Sequence, residues 1–178
     1  MRMLFGRVPR RRGLFAGAAV IALVAASLAI AGPGPGSVTL ASATPFTATT
    51  VSNSNTHTCT AGNGDPVNVT DALLTGASTA GDPHLAGAVS IHVHSVYDTK
   101  TNIGSLTGHV EIDTSSTAPP GQFHAKLEGV DVNGTVDGWL DGNAGGGLHF
   151  TGGFTGTFVI PGGTTTPAGF TSGVIAGN

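Results

Sequence analysis

The feature that most constrains the fold is a series of short runs in which apolar and polar residues alternate, separated by Gly, Pro, Asn and Asp. After residue 43 the chain has two Glu, one Gln, two Lys and neither Met nor Arg, so strong helix formers are nearly absent. Such alternation is typical of half-buried β-strands. The runs cover residues 65–74, 84–98, 105–113, 122–130, 135–142, 148–160 and 168–176.

These runs predict about seven or eight strands with no helix between them. Strands that follow one another at short spacing fold as an antiparallel meander, which closes into a small β-barrel or forms a sandwich. We favour the closed barrel, because glycines inside strands weaken a flat sheet but suit the bends of a small closed one. These in-strand glycines are Gly87, Gly108, Gly138, Gly152, Gly153, Gly156 and Gly173.

Residues 1–43 differ from the rest and are predicted to be a signal peptide of bacterial type. Five Arg precede the apolar run 14–31, and two A-x-A sites follow, ending at Ala31 and Ala43. We favour cleavage after Ala43; cleavage after Ala31 and an uncleaved anchor are the alternatives. Arg11 and Arg12 also fit part of a twin-arginine signal.

The remaining chain is long enough for one domain. Residues 44–64, rich in Thr and Ser, are predicted to be a linker or a first strand, and residues 65–178 a single all-β domain. The lone Cys59 leaves no partner for an internal disulfide.

The charge of this chain excludes two classes of partner. All five Arg leave with the signal peptide. The chain that remains has two lysines, Lys100 and Lys126, and ten carboxylates, which gives it a net charge of −8. A domain with so few cations lacks the electrostatic footprint for nucleic acid and for anionic lipid. We therefore expect no nucleic-acid partner and no membrane association after cleavage.

Alternation also separates the predicted core from the histidines. In the run 84–98, Val89, Ile91 and Val93 share one face, while His92 and His94 share the other. The next two runs place His109, Glu111 and His124 on the outer face in the same way.

A regular hairpin would bring three of these histidines together. To turn both apolar faces inward, even-numbered residues of one strand must pair with odd-numbered residues of the next, which places His92 near His109 with His94 diagonal to it. Glu111 is next along, and His124 can join from the following strand. The set His92, His94, His109 and Glu111 resembles the three-histidine zinc site of carbonic anhydrase.

Zinc or copper are the metals expected for such a set, either at a functional site or by adventitious binding. A plain solvated face is the other interpretation, since H-x-H is common on exposed strands. Asp137 and Asp141, which flank Trp139, could be imagined as a glycosidase pair, but alternating carboxylates more often keep an outer face soluble.

We therefore expect a secreted, non-enzymatic binding or structural module at the bacterial cell envelope or outside the cell. Its partner would be a small ligand or an envelope component. The alternative is a zinc- or copper-binding barrel with metal-dependent hydrolase or lyase activity through the histidines. A third is a barrel that holds a small apolar ligand in its interior.

Overall fold

The structure is a computed structural model that describes residues 36, 40, 43–78, 81–114, 121–145, 148–161 and 167–177. The predicted signal-peptide segments 1–35, 37–39 and 41–42 lie outside the described residues. Eight strands make up the fold: β1 (Thr44–Thr60), β2 (Pro66–Ser78), β3 (Gly87–Asp98), β4 (Ile103–Asp113), β5 (Gln122–Val132), β6 (Thr135–Ala144), β7 (Leu148–Val159) and β8 (Gly169–Gly177).

Each strand pairs with the next in antiparallel fashion, and β8 pairs with β1 to close the barrel. The predicted all-β meander and its closure are thus confirmed. The segment interpreted as a linker or first strand contains β1, which pairs with β2 along most of its length and with β8 only over residues 44–48. Residues 52–60 of β1, including Cys59, are exposed.

One hairpin shows how local sequence fixes the register. Asn133 and Gly134 join β5 to β6 and both have positive φ, 55° and 80°, as a type I′ turn requires. The backbone N–H of Gly134 donates to Oδ1 of Asp131 at 2.7 Å, which ties the turn to the preceding strand. The Asn-Gly pair therefore sets the pairing of Val132 with Thr135.

Phenylalanine rings fill the barrel interior. Phe170 lies 5.6 Å from Phe46, 6.2 Å from Phe154 and 5.0 Å from Phe158, measured between ring centroids. Phe123 and Phe150 form a second group, with centroids 5.1 Å apart. All six rings belong to the buried core.

Inward-facing glycines leave room for these rings. A Cβ on Gly173 would overlap the ring of Phe46, and one on Gly138 would overlap the ring of Phe154. Small and large residues thus complement each other in the interior, as the taper of a small barrel requires. At Gly138 and Gly173, therefore, a neighbouring ring needs the space that a side chain would take.

The barrel has two distinct ends. At one end, which we call the turn end, lie the connections from β1 to β2, β3 to β4 and β5 to β6. At the opposite end Leu85, in the connection from β2 to β3, is fully buried. Leu40 packs against the core, and its N–H donates to the carbonyl of Gly177 at 3.1 Å. Residues that precede β1 therefore take part in the barrel.

Candidate functional site

Functional groups on the outer face of the barrel are arranged in rows that cross neighbouring strands. Antiparallel pairing places residues of consecutive strands directly opposite each other, and side chains in such positions are neighbours. One row follows His92, His109, Lys126 and Asp141 from β3 to β6. The adjacent row follows Glu111, His124, Asn143 and His149 from β4 to β7. We call these eight residues the histidine band.

The four predicted metal ligands lie close to the positions expected from a regular hairpin of β3 and β4. His92 pairs directly with His109, and His94 lies one pair farther along β3, opposite Thr107. Glu111 pairs with Ser90 on one side and with His124 on the other. All four residues lie on the outer face, and all are exposed.

Two of these four side chains contact other partners. Nδ1 of His94 lies 2.8 Å from Oδ1 of Asp71 on β2. Glu111 lies beside His124, with 3.5 Å between Oε1 and Nδ1. Within the part of the chain that the structure describes, no group of three or more His, Cys, Asp or Glu side chains is arranged to hold a metal ion. The three-histidine metal site stays a prediction.

The histidine band contains a shallow depression of about 270 Å³ across β4, β5 and β6. Acidic and basic side chains alternate around it, and they pair with each other: Nε2 of His149 lies 3.1 Å from Oδ1 of Asp141. Because these side chains face open solvent, the depression does not exclude water from a reacting group.

Three groups at the turn end, away from the band, have shifted pKa values. Burial raises the pKa of the Asp131 carboxyl, and the N–H of Gly134 partly lowers it. Burial also raises the pKa of Tyr97, and the charge of Asp131 adds to this. Backbone N–H groups of Lys100 and Thr101 lower the pKa of Asp98 in the turn from β3 to β4.

Near the turn end, β3, β4 and β5 also invert the usual polarity of the sheet. Val96, Ile103, Val130 and Val132 face solvent there, and we call these four residues the valine patch. Ser95 and Asp131, which neighbour them in sequence, face the interior. Oγ of Ser95 and Oδ2 of Asp131 have no hydrogen-bond partner among the described residues. The strands thus turn apolar side chains outward and polar ones inward.

Trp139 stands on the outer face between the valine patch and the histidine band. It pairs with Glu128 on β5 and with Gly153 on β7, and 45% of its side chain is exposed. In the sequence, Trp139 stands out only as a neighbour of Asp137 and Asp141. Its outward position follows from alternation, since Val136 and Leu140 point inward.

A groove of about 470 Å³ continues from the β6 edge of this region across β7 and β8 to β1. Its lining is uncharged and rich in hydroxyl groups: Thr47, Thr135, Thr155, Thr157 and Ser172. The paired Gly156 and Gly173 add backbone, and Val174 and Pro45 add apolar surface. We call this the threonine groove. Its residues come from five separate strands, so no local sequence pattern reveals it.

No helix among the described residues is long and apolar enough to cross a membrane. In comparisons with known proteins, no family model, no curated protein and no solved structure matches this chain.

Proposed function

We propose that the protein acts outside the cell, or at the cell envelope, as a non-enzymatic binding module that contacts its partner through the outer face of the barrel. The observation that carries this proposal is the inverted polarity of the turn end. Four large apolar side chains, those of the valine patch, face solvent while Ser95 and Asp131 are buried.

This inversion weakens the isolated fold. Burial of valine is favourable and burial of an unpaired carboxylate oxygen is costly, so stability alone would favour the opposite arrangement. Exposed apolar patches of this kind commonly mark contact surfaces, and departures from local folding rules commonly mark functional sites. The interior offers no comparable surface, because phenylalanine rings fill it.

Two further observations support the proposal. The basic and apolar leader with its A-x-A sites supports export. The acidic and basic side chains of the histidine band support binding rather than catalysis, since they lie on an open surface and pair with one another.

Co-sedimentation with insoluble envelope material from the secreting cells tests the proposal. We expect the secreted protein to be retained and to be recovered with unchanged mass. Three variants each add a charge to one part of the outer face: Ile103→Glu in the valine patch, Thr155→Glu in the threonine groove and Asn143→Glu in the histidine band.

At least one of these variants should lose retention while keeping the β-sheet spectrum and melting temperature of the unmodified protein. Absence of retention for the unmodified protein would contradict the proposal. Equal retention of all three variants would contradict binding through the outer face.

A second candidate function is a zinc- or copper-binding barrel, and the direct pairing of His92 with His109 favours it. Two imidazoles hold a metal ion more weakly than three, so we expect binding only at high metal concentration. Isothermal titration of zinc into His92→Ala, His109→Ala and the control His57→Ala tests it. Micromolar binding of one ion per chain, lost in the first two variants and kept in the control, would establish a metal site.

A further inference from the structure

We propose that Trp139 and the threonine groove form a binding site for a neutral polysaccharide chain. This inference rests on the proposed binding function and assigns it a ligand class and a site. It concerns binding alone and includes no bond cleavage.

The indole of Trp139 is placed to pack against a sugar ring. Gly153, directly opposite it on β7, has no side chain to cover one flank of the indole. The indole face carries partial negative charge, whereas one face of a pyranose ring presents positively polarised C–H bonds. The phenylalanines among the described residues are all buried, so Trp139 supplies the large exposed aromatic surface of the barrel.

The threonine groove supplies hydrogen-bonding groups next to this surface. Thr155 lies two residues from Gly153 on the same face of β7 and is therefore diagonal to Trp139. Each Thr or Ser hydroxyl can both donate and accept, as sugar hydroxyls do. The groove crosses three inter-strand spacings from β6 to β1, or roughly 14 Å, which suits an extended chain rather than a single sugar.

The charges around the site favour a neutral ligand. Asp137 lies on the same outer face, between Val130 and Thr155, and can accept hydrogen bonds from sugar hydroxyls. The two lysines of the exported chain lie elsewhere: Lys100 bonds to Asp65 at 2.6 Å, and Lys126 lies opposite Asp141 on the neighbouring strand, in the histidine band. An acidic polysaccharide would meet carboxylates without a matching cation.

A proline-rich peptide also packs on exposed indoles, but it fits this site less well. Such a peptide has few N–H donors, so the carboxylate of Asp137 would lose water without gaining a partner. A polysaccharide has a donor on nearly every ring and can satisfy both Asp137 and the threonine hydroxyls.

The test uses Trp139 as its own reporter, because it is the single tryptophan of the chain. The secreted protein is titrated with soluble neutral glucan, mannan and arabinogalactan while its tryptophan fluorescence is recorded. Retention is measured in parallel by electrophoresis through gels that contain each polymer and by co-sedimentation with cellulose and chitin. Alginate and polygalacturonate are the acidic controls, and oligoproline is the peptide control.

We expect at least one neutral polysaccharide to shift the fluorescence and to retain the protein. Trp139→Ala should weaken retention by about tenfold or more, as removal of a central aromatic contact does at binding sites. Trp139→Phe should weaken it less. The control His57→Ala, which removes an exposed ring on β1 outside the valine patch, the histidine band and the threonine groove, should leave retention unchanged.

Three results would overturn this inference. The first is retention on envelope material without retention on any neutral polysaccharide, which would leave the binding-module proposal standing. The second is equal retention of Trp139→Ala and the unmodified protein. The third is a stronger response to the acidic polymers or to oligoproline than to every neutral polysaccharide.

Discussion

The two faces of the same sheet differ in what they do for the protein. On β5, Phe123, Ala125 and Leu127 point into the barrel and are buried, while His124 and Lys126 alternate with them and face water. The inner face is one continuous core of interlocking rings and aliphatic side chains. The outer face is divided into a histidine band, a valine patch and a threonine groove. Stability therefore depends on the inner face, and the outer face is free to carry recognition.

The largest expected difference between the two faces is in the loss of stability when a side chain on β8 is shortened. Phe170→Ala removes a ring that contacts Phe46, Phe154 and Phe158, and it should lower the free energy of unfolding by about 3–5 kcal/mol. Val174→Ala, on the outer face of the same strand, should change it by less than about 0.5 kcal/mol. Urea denaturation followed by circular dichroism measures both. Equal losses would mean that the inner face does not dominate stability.

A smaller effect should follow from adding one methyl group to the inner face. The Cβ of Gly173→Ala would overlap the ring of Phe46, so we expect a loss of about 1–3 kcal/mol. Gly62→Ala is the matched control, since no atom lies within 4 Å of the position of its Cβ. Thermal unfolding of the two variants gives the comparison. A normal melting temperature for Gly173→Ala would show that Phe46 moves aside freely.

The end of the barrel provides a third comparison. A chain that begins at Gly32 keeps Leu40, and a chain that begins at Thr44 lacks it. The longer chain should be more stable by about 1–2 kcal/mol, from the partial burial of one leucine and one hydrogen bond. We predict secretion with cleavage after Ala43, and intact-mass analysis of culture supernatant, which should give a chain that starts at Thr44, tests this prediction. If the two chains are equally stable, Leu40 does not contribute to the core.

Asp131 is an ionisable residue on the buried inner face. The pH dependence of the free energy of unfolding should therefore show its effect. Because burial raises its pKa, the folded chain holds the proton of Asp131 more tightly than the unfolded chain does. Its contribution to the free energy of unfolding therefore rises as pH falls through the folded-state pKa, and it levels off below the unfolded value of about 4.

Asp131→Asn removes this titration and should retain the oxygen that accepts from Gly134. In denaturation curves from neutral to mildly acidic pH, the unmodified protein should gain stability relative to the variant. Parallel pH profiles would contradict the assignment.

Much of the fold could be predicted because its signals are local. The seven alternating runs of the sequence lie close to the observed strands β2–β8. The Asn-Gly turn can be predicted from its two residues alone. The direct pairing of His92 with His109 could also be predicted, since a short hairpin fixes one register. The same reasoning reached the four predicted metal ligands but not their other contacts, because Asp71, the partner of His94, comes from a different strand pair.

The valine patch shows where reasoning from local hydrophobicity fails. Hydrophobicity alone would turn Val130 and Val132 inward and Asp131 outward. The pairing of β5 with β4 and β6 continues without a bulge through Gly129, so the period of two is kept and the faces cannot exchange. The continuous hydrogen-bond ladder between these strands therefore decides which side chains face inward, and the hydrophobicity of single residues does not.

The sequence by itself determined the all-β class, the approximate positions of β2–β8 and the outward set of histidines on β3, β4 and β5. These follow from alternation and turn residues within one or two neighbouring strands. The register with which β8 pairs with β1, and the threonine groove, were decided only by the tertiary structure. The groove joins Thr47, Thr155 and Ser172, which are far apart in the chain. Their alignment depends on the register of every strand pair between them. No local sequence pattern specifies all of these registers together.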